Sequence, residues 1–97
     1  MTGPVLTHRV AGRTPVSVQW RGRAITGDSR PHRREVLAEN LRRLLADEPF
    51  VDVWWETLSL AAQTVEAVVD TAEFDRVVAD LQERGLRVDQ VQDRQIV

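Results

Sequence analysis

The second half of the chain changes its hydrophobic period twice within a short distance, and this succession limits the folds that the chain can adopt. Apolar and polar residues alternate over Phe50–Glu56 and again over Thr64–Asp70, as in half-buried strands. A helical period follows, with apolar residues at Phe74, Val77, Val78 and Leu81. After Gly85 the pattern is extended again from Leu86. These periods predict the order strand, strand, helix, strand.

The first half predicts one more strand and one more helix. From Pro15 to Trp20, apolar residues alternate with polar ones, which is typical of a strand with one buried face. A helix is expected from about Pro31 to about Asp47, because proline fits a first helical turn and Pro49 ends the pattern. Its apolar stripe consists of Leu37, Leu41, Leu44 and Leu45.

The complete order is β-α-β-β-α-β. With right-handed crossovers, this order gives a four-stranded antiparallel sheet with two helices on one face, an α+β fold of the ferredoxin-like type. A chain of 97 residues buries one core, so we expect a single domain over residues 15–97. Residues 1–14 are expected to form an N-terminal arm or an extra edge strand.

The second strand carries two adjacent tryptophans. Its alternation sends one set of side chains to one face, namely Val51, Val53 and Trp55. The other face receives Phe50, Asp52, Trp54 and Glu56. One tryptophan is therefore expected in the core, and the other is expected to be more exposed.

Charge is unevenly divided along the chain. Residues 1–43 hold nine Arg and three acids, and residues 44–97 hold four Arg and twelve acids, within a net charge of −2. The two halves either neutralise one another in the fold or present a docking surface for a charged partner. The chain contains no cysteine, which excludes disulfides and thiolate metal sites. The amino terminus has neither a signal-peptide pattern nor a membrane-spanning run, so the chain as given is expected in the cytoplasm, without membrane association.

Four segments resemble the activation domain, or propeptide, of zinc carboxypeptidases. Val51–Trp54 is similar to that family's LDFW-like strand, and Thr64–Val69 to its xVRV-like strand. Phe74–Gly85 matches a helix that ends in glycine, and Leu86–Gln92 is similar to the closing strand. The resemblance covers about half of the chain, whereas the first strand and helix agree in order only.

The resemblance implies a non-enzymatic domain that inhibits or chaperones a metallocarboxypeptidase-like catalytic domain. Such a partner would be bound in trans, or was lost in cis, and an excised propeptide would be secreted. The implied contacts lie on the sheet and the connection after the second strand, at Trp54, Trp55, Glu56, Thr57 and Leu58. Tryptophan is a favoured interface anchor, and the carboxylate of Glu56 would pair with a partner arginine.

Other functions find weaker support in the residues. His32 and Glu35 have the H-x-x-E spacing of two zinc ligands, but a catalytic zinc needs three, and the remaining histidine, His8, lies in the predicted arm. We therefore expect no metal, no cofactor and no enzymatic activity. A nucleic-acid-binding role is not expected, because the third strand lacks aromatic residues and the pI is about 5.6. The alternative that stays open is a ferredoxin-like interaction or dimerisation module with a non-peptidase partner, including a homodimer.

Overall fold

The computed structural model describes residues 12–22 and 30–91. It contains four strands and two α-helices, with a short 3-10 turn at Thr71–Glu73. In chain order they are β1 (Arg13–Trp20), α1 (Arg30–Leu45), β2 (Phe50–Ser59), β3 (Thr64–Asp70), α2 (Phe74–Glu83) and β4 (Leu86–Gln90). The predicted order of elements is confirmed.

The strands form one sheet in the order β2-β3-β1-β4, and each neighbouring pair is antiparallel. The crossover through α1 joins β1 to β2 and skips β3, and the crossover through α2 joins β3 to β4 and skips β1. Two such split β-α-β units make up the ferredoxin-like arrangement, so the predicted fold class is confirmed. Among the described residues, β2 and β4 are the edge strands.

The core lies between the two helices and one face of the sheet. Val16 and Val18 of β1 pair with Ala67 and Val65 of β3, and all four side chains are buried. Because directly opposite residues share a face, this face carries the core. The helices cover it with Leu37, Leu41, Leu45, Val77 and Leu81, all of them buried. Both predicted helical stripes therefore contribute to the core, although Leu44 is only half-buried.

β1 begins at Arg13, so two residues assigned to the N-terminal arm belong to the sheet. Residues 1–11 of the predicted arm lie outside the described residues. At the end of α2, Gly85 has a φ of +87° and its amide donates to the carbonyl oxygen of Gln82 at 3.0 Å, so the helix ends in a left-handed glycine.

β2 departs from the predicted strand in length and in phase. It continues to Ser59, whereas the prediction ended it at Glu56, and its pairing with β3 shifts register twice. The first shift lies between Phe50 and Asp52. As a result Phe50 packs against the core and Val51 is 41% exposed, so the predicted faces of these two residues are wrong. A bulge exchanges the faces of the residues on one side of it.

Candidate partner-binding surface

The five residues singled out by the resemblance all lie within β2, and none lies in the connection that follows it. Regular pairing with β3 ends at Trp54 opposite Glu66 and resumes at Ser59 opposite Thr64. Residues 55–58 therefore face only residue 65 across the ladder. β2 therefore bulges between Trp54 and Ser59, because a regular strand pair cannot accommodate this excess of residues.

The hydroxyl of Thr57 closes the ladder across this bulge. It donates to the carbonyl oxygen of Trp54 at 2.6 Å and accepts from the backbone amide of Glu66 at 2.8 Å. In an unbroken ladder the amide of Glu66 would donate to the carbonyl of its partner Trp54. The side chain of Thr57 thus acts as a hydrogen-bonded relay between the two backbones, and both of these backbone groups are hydrogen-bonded.

Trp54 lies on the sheet face opposite α1 and α2, which we call the outer face. Its partner Glu66 pairs in turn with Ser17, and these positions alternate with the buried residues of β1 and β3. The outer face also carries Gln19, Asp52, Thr64, Val68, Arg87 and Asp89. The Trp54 side chain is half-buried in this largely polar setting.

Trp55 lies on the other side of β2, against α1. Its indole packs on the core, and the guanidinium carbon of Arg42 lies 4.9 Å from the ring centroid. Leu58 is 7% exposed, and its carbonyl oxygen accepts from Nη1 of Arg34 at 2.9 Å. An open groove of about 320 Å³ separates α1 from β2, lined by Arg34, Glu35, Ala38, Glu39, Arg42, Trp55 and Leu58.

The five residues therefore occupy four different environments. Trp54 lies on the outer face, Trp55 and Leu58 face α1, and Thr57 is engaged in the ladder. The Glu56 side chain is exposed on the edge strand. Their binding of a partner stays a prediction, but the geometry separates an accessible pair, Trp54 and Glu56, from residues that hold β2 in place.

A charged cluster that the sequence did not reveal joins the carboxyl ends of the two helices. The Glu48 side chain is only 2% exposed, and its Oε2 lies 3.9 Å from Nη2 of Arg84. Arg84 also lies 3.9 Å from Oδ2 of Asp47 and donates to the carbonyl oxygen of Leu44 at 2.9 Å. Burial raises the pKa of Glu48, and the nearby Asp80 carboxylate raises it further, against the opposing effect of Arg84. No local pattern marks Glu48, because its burial depends on α2.

His32 and Glu35 lie in the first turns of α1 with exposed side chains. Within residues 12–22 and 30–91, no three His, Cys, Asp or Glu side chains are grouped so as to hold a metal ion. Neither α1 nor α2 of the described chain has the length and apolar content needed to cross a bilayer.

Comparison of the chain with models of known protein families gives no match, and neither characterised proteins nor solved structures match it.

Proposed function

We propose that this chain is a non-enzymatic binding domain that docks on a metallocarboxypeptidase-like catalytic domain in trans. The observation that carries the proposal is the position of Trp54, half-exposed on the outer face where the pairing of β2 with β3 breaks. The resemblance to carboxypeptidase activation domains supplies the class of partner. The ferredoxin-like fold is compatible with that resemblance.

The surroundings of Trp54 suit a protein interface. Its carbonyl is held by Thr57, so the backbone that carries the indole is fixed before any partner arrives. Ordering such a side chain on binding costs little conformational entropy, because the backbone is already in place. An aromatic anchor inside a polar rim is the usual composition of an interface hot spot.

Glu56 supplies a second, electrostatic contact in this proposal. Its exposed carboxylate follows Trp54 by two residues on the edge strand. A guanidinium that normally binds the terminal carboxylate of a peptide would accept this carboxylate in its place. The domain would then compete with peptide substrates for the same arginine.

The direct test is competitive inhibition of a purified metallocarboxypeptidase catalytic domain, measured with a peptide substrate over a concentration series of this chain. Trp54→Ala and Glu56→Gln are each expected to weaken inhibition at least tenfold while leaving the thermal unfolding transition in place. Val51→Ala is the matched control, because Val51 is an exposed apolar residue of the same strand. Absence of inhibition by the unaltered chain at saturating concentration would refute the proposal.

A second candidate is an interaction module whose partner is unrelated to peptidases. It is favoured by the mixed charge of the outer face, where Asp52 and Asp89 accompany Arg87. Affinity capture from the native host, with the Trp54→Ala chain as control, distinguishes the two. Recovery of a metallopeptidase that is lost with the variant supports the first candidate, and recovery of any other protein with the same dependence supports the second.

A further inference from the structure

One backbone hydrogen bond just beyond the end of β4 shows which residues of this strand direct their backbone groups toward β1. The amide of Val91 donates to the carbonyl oxygen of Pro15 at 2.9 Å, which continues the register of β4 with β1. In an antiparallel pair, residues whose backbone groups point to the partner alternate with residues whose groups point away. The groups of Asp89 and Arg87 therefore point toward β1, with those of Val91.

The alternate residues of β4 direct their backbone groups away from the sheet. These residues are Leu86, Val88 and Gln90. The pairing of β4 with β1 has no register shift between Leu86 and Gln90, so the alternation holds along the whole strand. β4 is an edge strand, and the side chains of Arg87 and Asp89 are each 58% exposed. A regular edge of this kind is a template for another strand.

The opposite edge of the sheet is protected in two ways. β2 has two register shifts, which interrupt a straight pairing edge. In addition, Oδ1 of Asp52 accepts from the amide of Val53 at 2.9 Å, in an exposed position on the strand. Asp52 and Trp54 pair with β3 residues whose amides face β2, so the amide of Val53, which lies between them, points away from the sheet. This outward amide already donates to the Asp52 side chain. Within residues 12–22 and 30–91, this contrast identifies β4 as the edge that is open to pairing.

We propose that two copies of this chain associate through their β4 strands, in an antiparallel pair centred on Val88. With Val88 opposite the same residue of the second copy, Leu86 lies opposite Gln90. In this register every outward amide and carbonyl of the three residues meets a complementary group. The two four-stranded sheets become one continuous sheet about a two-fold axis, which is the commonest symmetry of soluble dimers.

The side chains favour the same register. Arg87 of one copy lies opposite Asp89 of the other, and the symmetry repeats this contact. Arg87 and Asp89 would face each other as a non-hydrogen-bonded pair of the antiparallel ladder. In such a pair the facing side chains are closest together. Within one chain, Nε of Arg87 already lies 2.9 Å from Oδ2 of Asp89. Association would extend this pair into a network of four alternating charges.

This inference is independent of the proposed peptidase partner, because Trp54 lies on β2, at the other edge of the sheet. It is tested with the purified chain alone, by sedimentation velocity from micromolar to millimolar concentration. A reversible monomer–dimer equilibrium is expected. A monomer throughout this range would overturn the inference and leave the peptidase proposal untouched.

Three variants examine the register. Arg87→Asp places like charges opposite each other twice and should weaken the dimer roughly tenfold, whereas Arg87→Asp combined with Asp89→Arg should restore it. Arg43→Asp makes the same charge change at an exposed position of α1 and should leave the dimer unchanged. Equal weakening by Arg87→Asp and Arg43→Asp, or no rescue by the double swap, would overturn the proposed register.

Two further variants keep the test independent of charge. Gln90→Pro removes an outward amide while sparing the bonds to β1, so it should abolish dimerisation and leave the circular dichroism spectrum intact. Because the chain has no cysteine, the double variant Arg87→Cys/Asp89→Cys reports the register directly. Oxidation should link residue 87 to residue 89 of the second copy, identified by mass spectrometry. Dimers of Gln90→Pro, or links between identical positions, would contradict the geometry.

Discussion

The backbone amide of Glu66 on β3 donates to the side-chain hydroxyl of Thr57 on β2 at 2.8 Å. The same hydroxyl donates to Trp54 at 2.6 Å, so one side chain bridges the two strands where their register shifts. Both of these backbone groups are therefore hydrogen-bonded where β2 bulges. It also fixes the strand segment that presents Trp54.

Thr57→Val is expected to destabilise the domain by about 1–2 kcal/mol, because it removes the hydroxyl that bridges the amide of Glu66 and the carbonyl of Trp54. Valine preserves the shape and β-branching of threonine, so the change isolates the hydroxyl. Urea unfolding followed by circular dichroism measures the difference. Thr57→Ser keeps the hydroxyl and should retain most of the stability. Equal stabilities of the valine and threonine chains would show that the relay contributes nothing.

Trp55→Ala is expected to lower the free energy of unfolding by about 2 kcal/mol, since the indole is half-buried against α1 and packs on the core. Arg42→Ala should cost less, about 0.5–1 kcal/mol, because its contact is a partly exposed cation–π pair. The double variant measures their coupling, which should be favourable. Strictly additive losses would indicate that Arg42 does not stabilise the ring.

Glu48 should make stability depend on pH with a definite sign. Its pKa in the folded state is raised above 4.5, so the folded chain binds this proton more tightly than the unfolded chain does. The stabilisation that comes from protonated Glu48 is therefore complete at pH values below the unfolded-state pKa of 4.5. It is lost as pH rises through the higher pKa of the folded state.

Glu48→Gln removes this titration, so the variant should gain stability relative to the unaltered chain as pH rises from acid to neutral. Thermal unfolding across this range measures the change in the difference. Glu83→Gln, at an exposed carboxylate near the end of α2, controls for the loss of one negative charge. A constant difference between Glu48→Gln and the unaltered chain across the range would contradict the predicted linkage.

Gly85→Ala is expected to destabilise the domain by about 1 kcal/mol. The reason is backbone strain alone, because Gly85 has a φ of +87° and a Cβ there would meet nothing within 4 Å. Gly85→Asn should cost less, since asparagine tolerates the left-handed region better than alanine. Calorimetric unfolding of the three chains gives the order, and an asparagine variant less stable than the alanine variant would refute the backbone explanation.

Features of the candidate surface that depend on adjacent residues could be predicted from the sequence. Features that depend on a second strand could not. The opposite directions of Trp54 and Trp55 follow from the two-residue period of any strand, and the structure has them on opposite faces of β2. The half-burial of both rings, and the core position of Phe50, depend on register shifts that need β3 as a partner. The relay by Thr57 likewise joins residues on two strands.

The sequence by itself determined the order of the elements and the buried faces of β1, α1 and α2. Hydrophobic period and the helix-ending residues Pro49 and Gly85 act within a few residues of the chain. Tertiary structure alone decided the phase of β2 and the burial of Glu48. Both depend on contacts between elements far apart in the chain, where pairing and desolvation are settled by neighbours that no local pattern specifies.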